Sequence, residues 1–443
     1  MCHDVGVEIQ GISSNVESPV SALTNLALEV VSAIRNPSPG PTFSFGMIGE
    51  GVLDGAPQLH YLWWRGLSSA AMERAAASLL RDESLAELRP REGENDPYFL
   101  TGHGGSRLSL ATIPHGMVES ALRLMYFRGV EVTEGGLASL VIENYEELKR
   151  AVRGEAVRTY TVYGITGIEL PKGMQIVTPW GIVSAAPEPN TGDDGNGPWP
   201  TSPKTTAVLV SQRLTKIDIS REGSPEWSGD REEFYAAEQR IYECLPLAFA
   251  LAAAEGTKCA PTVTFTTTVN PFIGQSGSSW GGPPLPFVQP LLVEPDQVQT
   301  IEDWARRLNT GHVDGLQVAA KRIVSAIAGR HDKADALIDA VTVWETLVGT
   351  RAETVFRVTA ALTRLLETDP AERGAFRKRL ADIYDTRSRV IHGELVDPET
   401  LSARADAAID IALAALRAIY DRGQEWLTLK STARADRLIL GES

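Results

Sequence analysis

The chain has 443 residues, of which 43% are hydrophobic and 22% are charged. Its length exceeds what one hydrophobic core normally holds, and its apolar content excludes global disorder, so we expect two or three folded domains. The 57 acidic and 42 basic residues give a formal net charge of −15, which argues against broad, sequence-independent binding to duplex DNA.

Cysteine usage and hydropathy indicate the compartment. The three cysteines, Cys2, Cys244 and Cys259, have no CxxC spacing, so they predict neither a disulfide framework nor a zinc quartet. The first ten residues lack the basic and apolar regions of a signal peptide. The most apolar stretch, residues 245–254, is too short to span a bilayer. We therefore expect a soluble, cytoplasmic protein that makes no membrane contact.

The first region, residues 1–155, is predicted to be mixed α/β. Apolar side chains at spacings of three and four predict four helices, at residues 20–34, 68–88, 116–127 and 134–152. The Asn-Pro-Ser-Pro-Gly cluster at residues 36–40 ends the first helix. Two short runs rich in β-forming residues predict strands, at residues 43–48 and 59–64.

The second region, residues 156–300, is predicted to be β-rich. Runs of Val, Thr, Ile and aromatic residues between glycines and prolines predict four strands, at residues 159–163, 175–178, 207–210 and 262–268. One helix, at residues 232–254, interrupts them. The stretches 187–203 and 274–290 have no periodicity, and we interpret the first as a flexible loop and the second as irregular.

The third region, residues 301–425, is helical in nearly every window. The pattern predicts six helices, at residues 302–309, 314–327, 333–347, 352–366, 372–390 and 398–420. Asp332 and Asp397 are placed to cap two of them, and the short connections favour an antiparallel bundle. Residues 426–443 are set apart as a C-terminal tail. The fold class predicted for the whole chain is α+β, with an all-α bundle at its end.

One segment of the bundle carries a chemical pattern, in which Arg387 is followed after four residues by His392 and then Gly393. A five-residue step on a helix rotates about 500°, leaving the two side chains roughly 140° apart. They can converge only if the helix ends there, and glycine is a residue that ends helices. We therefore expect the pair at a helix terminus rather than on a buried face.

Arginine and histidine together suit metal-independent cleavage of RNA, in which the substrate's own 2′-hydroxyl is the nucleophile. A histidine titrates near neutral pH and can move the protons. A guanidinium can hold the phosphate and balance the charge that develops on its oxygens. No metal-binding cluster surrounds the pair in sequence, so we expect neither a metal nor a cofactor.

The segment resembles the HEPN superfamily, whose signature is Arg, four to six residues, then His, and most closely its Apea-like branch. Tyr384 upstream, the Arg387-Ser388 pair and His392-Gly393 follow the branch's pattern. Residues 336–349, ALIDAVTVWETLVG, resemble its upstream helix. The resemblance covers about residues 316–420. In place of the Asn, Asp or His that often follows the motif arginine, this chain has Ser388.

The resemblance implies a small helical bundle, often dimeric, in which two Arg-His motifs face each other. It implies an endoribonuclease of the kind found in toxin or antiphage systems, with Arg387 and His392 as the catalytic pair and RNA as the partner. Arg389 is too close to His392 to fit. Residues 1–300 would then sense a trigger, such as a protein or a phage product, or restrain the activity.

Three alternatives to this interpretation stay open. In the first, the helical region dimerises and binds nucleic acid or a partner without chemistry, as some members of the superfamily do. In the second, the motif is structural, with Arg387 paired to Asp385 or Glu394 and His392 capping a helix. In the third, the main activity lies in the two N-terminal regions and belongs to a class that the sequence does not identify.

Several other features have simpler interpretations. Trp344 and the apolar residues 409–416 are expected in the core or, for the latter, a dimer interface, while Asp339 and Glu345 are expected to be solvated or capping acids. Glu345 is also a candidate acidic partner of the motif. The Gly-x-Ser-x-Gly match at residues 277–281 is interpreted as chance, because prolines follow where a hydrolase needs a helix. The glycine-rich stretches 46–51 and 102–105 are weak matches, and the second is expected to be a turn.

Overall fold

The computed structural model describes nine stretches of the chain, which are residues 17–35, 69–101, 104–187, 205–222, 226–229, 231–280, 290–310, 314–349 and 354–441. Within them the protein is α+β, as predicted. Sheets and helices alternate up to about residue 292, and everything described beyond that point is helical.

Among the described residues four α-helices precede the main sheet, and all four were predicted. They are α1 (Pro19–Arg35), α2 (Ser69–Arg81), α3 (Ile113–Phe127) and α4 (Glu134–Val152). The helix predicted at residues 68–88 is divided, because Asp82 caps a separate 3-10 helix, Glu83–Leu88, by accepting from the Ser84 backbone N–H at 2.9 Å. The strands predicted at residues 43–48 and 59–64 and the breaker at 36–40 lie outside the described residues.

Eleven strands are seen among the described residues. They are β1 (Tyr98–Thr101), β2 (Gly104–Arg107), β3 (Val157–Thr166), β4 (Ile168–Glu169), β5 (Gln175–Thr178), β6 (Gly181–Ala185), β7 (Ala207–Thr215), β8 (Asp218–Ser220), β9 (Thr262–Asn270), β10 (Gly274–Trp280) and β11 (Leu291–Leu292). Six form an antiparallel sheet in the order β10-β9-β3-β7-β6-β5. A smaller sheet has the order β2-β1-β8, and β11 pairs with β4 in parallel.

The four predicted strands are confirmed within β3, β5, β7 and β9, whereas the irregular stretch predicted at residues 274–290 is wrong for its first part. Residues 274–280 form β10, which pairs with β9. Their Gly and Ser content gave no β signal, but the edge of β9 supplies the pairing that decides the structure. The loop predicted at residues 187–203 lies, Pro187 apart, outside the described residues.

The main sheet is covered on both faces. On β3, Val162 belongs to a cluster with Leu124 and Phe127 of α3, and the next residue, Tyr163, faces the opposite side. That opposite face packs against α5 (Arg231–Ala252), the helix predicted at residues 232–254. Alternation along the strand therefore places the sheet between the early helices and α5.

The helical region contains eight α-helices in the part that the structure describes. They are α6 (Val298–Thr310), α7 (Gln317–Val324), α8 (Lys333–Val348), α9 (Thr354–Leu366), α10 (Arg373–Ile391), α11 (Pro398–Asp421), α12 (Gln424–Thr428) and α13 (Ser431–Leu440). The six predicted helices are confirmed. Both predicted caps are also confirmed, since Asp332 accepts from the Ala334 N–H at 2.8 Å and Asp397 from the Thr400 N–H at 2.9 Å.

The helical region and the main sheet share one hydrophobic core, which includes Tyr163 of β3, Trp344 of α8 and Leu438 of α13. Trp344 is fully buried, as expected, and its Nε1–H donates to the Ala408 carbonyl at 3.2 Å. Residues 409–416 are mostly buried in the same core. The segment set apart as a tail, residues 426–443, continues the bundle as α12 and α13. Across the described residues, no helix combines the length and apolar character needed to cross a membrane.

Candidate functional site

Helix α10 ends at the predicted motif. The His392 N–H donates to the Ser388 carbonyl at 3.1 Å, that of Gly393 to Val390 at 3.0 Å and that of Glu394 to Arg389 at 2.9 Å. These bonds form a Schellman motif, in which the residue after the cap must adopt a left-handed conformation. Gly393 supplies it, with φ of 75°. The glycine therefore fixes where the helix stops and leaves His392 as its cap residue.

The His392 side chain is exposed, and no described residue forms a hydrogen bond or an ion pair with it. Ile391 and Leu395 beside it are also exposed, Leu395 to 96%. The turn behind it is held by Arg389, whose Nε–H donates to a Glu394 carboxylate oxygen at 3.0 Å and whose Nη2–H donates to the Leu395 carbonyl at 3.3 Å. The imidazole is thus presented to solvent on a fixed turn.

Arg387 points the other way, toward α8. Its Nη2 lies 3.7 Å from Oε2 of Glu345, and its Cζ lies 5.7 Å from the centroid of the Tyr384 ring. The Tyr384 hydroxyl donates to the other oxygen of the same carboxylate. Arg387 Nε is buried and has no hydrogen-bond acceptor among the described residues. The guanidinium is therefore positioned by two contacts, with Glu345 and with the Tyr384 ring, and its Nε–H has no acceptor among the described residues.

Tyr384 stays protonated in this arrangement. Burial, together with its hydrogen bond to the Glu345 carboxylate, raises the pKa of the Tyr384 hydroxyl. The hydroxyl therefore acts as a donor that holds Glu345 in place, and Glu345 in turn orients Arg387.

The end of α8 is itself held in place. The guanidinium of Arg434, which is 1% exposed, donates to the carbonyls of Thr346 at 3.3 Å and Leu347 at 2.8 Å. Burial lowers the pKa of Arg434 to about 10. The Gly349 N–H bonds to the Glu345 carbonyl at 2.7 Å, and a Cβ at Gly349 would lie 2.1 Å from that oxygen. Glu345 thus sits on a helix end with little freedom to move.

Arg387 and His392 were both expected at a helix terminus, and this is confirmed for His392 only. His392 lies at the helix terminus, whereas Arg387 lies on the inward face, in line with buried Leu380 two turns earlier. The angular separation on the helix places the two side chains on different sides, and no hydrogen bond joins them. The structural alternative is wrong in its pairing, since Glu394 bonds to Arg389 and Arg387 pairs with Glu345.

Two residues of this neighbourhood were misjudged or missed. Asp339 is not a solvated acid, because it is 1% exposed and accepts from Arg322, Ser325 and Arg330 at 2.6, 2.8 and 2.7 Å. Arg434 was missed because it falls in the segment taken for a tail. A basic residue in an amphipathic stretch gives no sign in sequence that it will cap a distant helix.

The remaining sequence matches gain no support as sites. Ser279, the central residue of the Gly-x-Ser-x-Gly match, lies within β10 rather than on a strand-to-helix turn. In the stretch 102–105, Gly104 and Gly105 belong to β2 rather than to the expected turn, and the first two residues lie outside the described part, as does the stretch 46–51. Burial raises the pKa of Cys244 to about 11 and of Cys259 to about 12, so both thiols stay protonated and poorly nucleophilic.

Comparison of the chain with family models, curated proteins and solved structures gives no significant match. The residues and their geometry are therefore the basis for inferring a function.

Proposed function

We propose that the protein is a metal-independent endoribonuclease of the HEPN type, with Arg387 and His392 as its catalytic pair. The observation that supports it most is the unfilled donor at Arg387. A buried N–H without an acceptor costs about 1–3 kcal/mol, and a phosphate oxygen would satisfy it. The guanidinium is already oriented, so little ordering is needed when the phosphate binds.

In this proposal His392 accepts the proton of the RNA 2′-hydroxyl as its oxygen attacks the adjacent phosphorus. The bond from phosphorus to the 5′-oxygen breaks, leaving a 2′,3′-cyclic phosphate and a 5′-oxygen that takes up a proton from water, and His392 returns its proton to solvent. Arg387 balances the charge on the phosphate oxygens. Because the two side chains lie on different sides of α10, we assign the complete site to a homodimer, in which each copy supplies one group.

The charge of α10 supports an RNA partner. In a chain of net charge −15, this helix carries two acidic and six basic residues, which are Arg373, Arg377, Lys378, Arg379, Arg387 and Arg389. A local basic helix on an acidic protein confines phosphate binding to one place. Residues 1–300 would act as sensor or regulator, since the main sheet packs into the same core as the bundle. Toxin or antiphage defence in the cytoplasm would suit such an activity.

The test is cleavage of a labelled single-stranded RNA by the full chain in EDTA. The His392→Ala and Arg387→Ala variants should each lose about 100-fold or more in rate while keeping the wild-type melting temperature. His331→Ala and Arg364→Ala, which change exposed residues elsewhere in the bundle, are the matched controls. An RNA with 2′-deoxy residues should resist cleavage. Equal activity of wild type and His392→Ala would remove the catalytic assignment.

A non-catalytic function is supported by one observation, the ion pair that already engages Arg387 with Glu345. In that case the bundle binds RNA or a partner through α10 without cutting. It predicts a complex with the labelled RNA that weakens steeply with salt, and no 2′,3′-cyclic phosphate product under any metal-free condition.

A further inference from the structure

A cavity of about 530 Å³ lies between the end of β7 and the first turns of α5, and the proposed ribonuclease site does not use it. Its lining includes three aromatic side chains, Trp180, Trp227 and Phe234, together with Arg213 and Lys216. Pockets of this size that combine aromatic walls with a few polar groups are typical of small-molecule sites.

The aromatic wall is held in place. Trp227 donates its Nε1–H to the Lys216 carbonyl at 3.1 Å and meets the Phe234 ring edge-on, with 5.7 Å between centroids. The backbone of Gly229 lies against the indole, where a Cβ would come within 2.4 Å of the ring. Trp180 is fixed from another side, because its Nε1–H donates to Asn309 Oδ1 of α6 at 3.1 Å.

The floor of the cavity is an open strand edge. On one side β3 pairs with β7 along its whole length, from Ala207 to Thr215, but on the other side β6 pairs only with residues 207–210. Residues 211–215 line the cavity, and no other strand of the described part of the chain pairs with this edge, so it offers backbone donors and acceptors to an occupant.

Arg213 supplies a fixed positive charge. Its Nη2–H donates to the Tyr163 hydroxyl at 2.9 Å and its Nη1–H to the Phe234 carbonyl at 3.4 Å, and its Cζ lies 5.2 Å from the Phe234 ring centroid. Among the described residues no carboxylate lies within ion-pair distance of it. The Tyr163 hydroxyl bridges Arg213 and Glu238, since it donates to Glu238 Oε1 at 3.3 Å, and the two charges also interact electrostatically.

Glu238 offsets part of that positive charge, because the two groups interact electrostatically, but no direct hydrogen bond joins them among the described residues. Burial raises the pKa of the Glu238 carboxyl above its ordinary value. Lys216 is less available, because its Nζ lies 3.7 Å from Asp218 Oδ1 and 3.0 Å from Ser228 Oγ. Arg213 is therefore the cation that an anionic ligand would meet.

We propose that this cavity binds a nucleotide, with the planar base among Trp180, Trp227 and Phe234 and the phosphate on Arg213. Aromatic side chains stack with every base, backbone groups of a strand edge can bond to base edges, and a guanidinium is a preferred phosphate ligand. The nucleotide can be a free mononucleotide or the terminal residue of an RNA. The proposal does not rest on ribonuclease activity, because its readout is binding.

The experiment is isothermal titration of the full chain with AMP, GMP, CMP and UMP, with adenosine and with a five-nucleotide RNA. At least one mononucleotide or the RNA should bind with a saturable 1:1 curve. Where AMP binds, adenosine should bind about 10- to 100-fold more weakly, since it lacks the phosphate. If a mononucleotide binds more tightly than the RNA, the ligand is a free mononucleotide. If the RNA binds more tightly, the ligand is the terminal nucleotide of an RNA chain.

Two variants locate the site. Arg213→Gln should weaken binding about 10-fold or more and abolish the preference for AMP over adenosine, and Phe234→Leu should weaken both ligands together. The matched control is Arg128→Gln, because Arg128 also lies over an aromatic ring, that of Tyr160, at 5.0 Å, but does not line the cavity. Absence of saturable binding to every ligand, or equal losses in Arg213→Gln and Arg128→Gln, would overturn the proposal.

Discussion

Asp339 and Glu345 lie six residues apart on helix α8, and both pair with arginines. The two ion pairs differ in burial and in hydrogen bonding. Asp339 is 1% exposed and accepts three short hydrogen bonds, from Arg322, Ser325 and Arg330. The Glu345 side chain is 28% exposed, and its Oε2 lies 3.7 Å from Nη2 of Arg387. The buried Nε–H of Arg387 has no acceptor among the described residues. The first cluster is complete in itself, and the second keeps capacity for a ligand. The contrast separates an ion pair whose groups are fully hydrogen-bonded from one that leaves a donor without an acceptor and that we propose to be part of a site.

The largest expected effect follows from breaking the closed cluster. Asp339→Asn removes the negative charge opposite Arg322 and Arg330 and replaces one of the two acceptor oxygens by an NH2 donor, so it should lower the free energy of unfolding by about 3 kcal/mol, measured by urea denaturation. The control is Asp335→Asn, since Asp335 lies 3.7 Å from the same Arg330 but its side chain is 55% exposed, so its loss should cost under about 1 kcal/mol. Similar losses of unfolding free energy in the two variants would contradict the assignment of Asp339 as a buried, fully hydrogen-bonded acceptor.

The hydrogen bonds of Asp339 also predict that the free energy of unfolding depends on pH. Burial alone would raise the pKa of the Asp339 carboxyl, but hydrogen bonds from Arg330, Ser325 and Arg322 outweigh it, so the pKa is lowered. Its stabilisation is fully present above the pKa of an unfolded aspartate, about 4, and is lost as pH falls through the lower folded value. The stability gap between wild type and Asp339→Asn should therefore be constant from pH 7 to about 5 and narrow below about pH 4. A gap that widens on acidification would reverse the sign of this argument.

A smaller effect is expected at the helix end that carries the open site. Gly393→Ala forces a side chain into a φ of 75° and should cost about 1 kcal/mol, although no atom would clash with its Cβ. Gly374→Ala, in the first turn of the same helix, also meets open space but has no positive φ, so it should be neutral or stabilising by up to about 1 kcal/mol. Thermal unfolding of the pair separates the backbone effect from the general effect of a methyl group.

The local features of these two clusters could be predicted, but their long-range contacts could not. The apolar periodicity predicts α8 and α10, and Gly393 predicts the end of α10. Helix formation and helix termination depend on short segments, so the local sequence is enough to predict them. The burial of Asp339 requires Arg322 and Arg330, which pair with it from either side of the π-helical turn Ser325–Gly329. The sequence predicts an ordinary helix at this turn. The role of Arg434 likewise requires two segments, α8 and α13, to meet in space.

The smallest change in stability is expected for the open pair itself. Glu345→Gln keeps an acceptor for the Tyr384 hydroxyl but removes the charge opposite Arg387. Because the ion pair is long and partly exposed, the free energy of unfolding should change by less than about 1 kcal/mol. The freed guanidinium should instead bind phosphate more strongly, so the affinity for an uncleavable 2′-deoxy RNA, measured by fluorescence anisotropy, should rise a few-fold at low salt. Arg387→Gln should lower that affinity. If Glu345→Gln cost as much stability as Asp339→Asn and bound RNA no better, both carboxylates of α8 would be structural, and Arg387 would have no capacity left for a substrate.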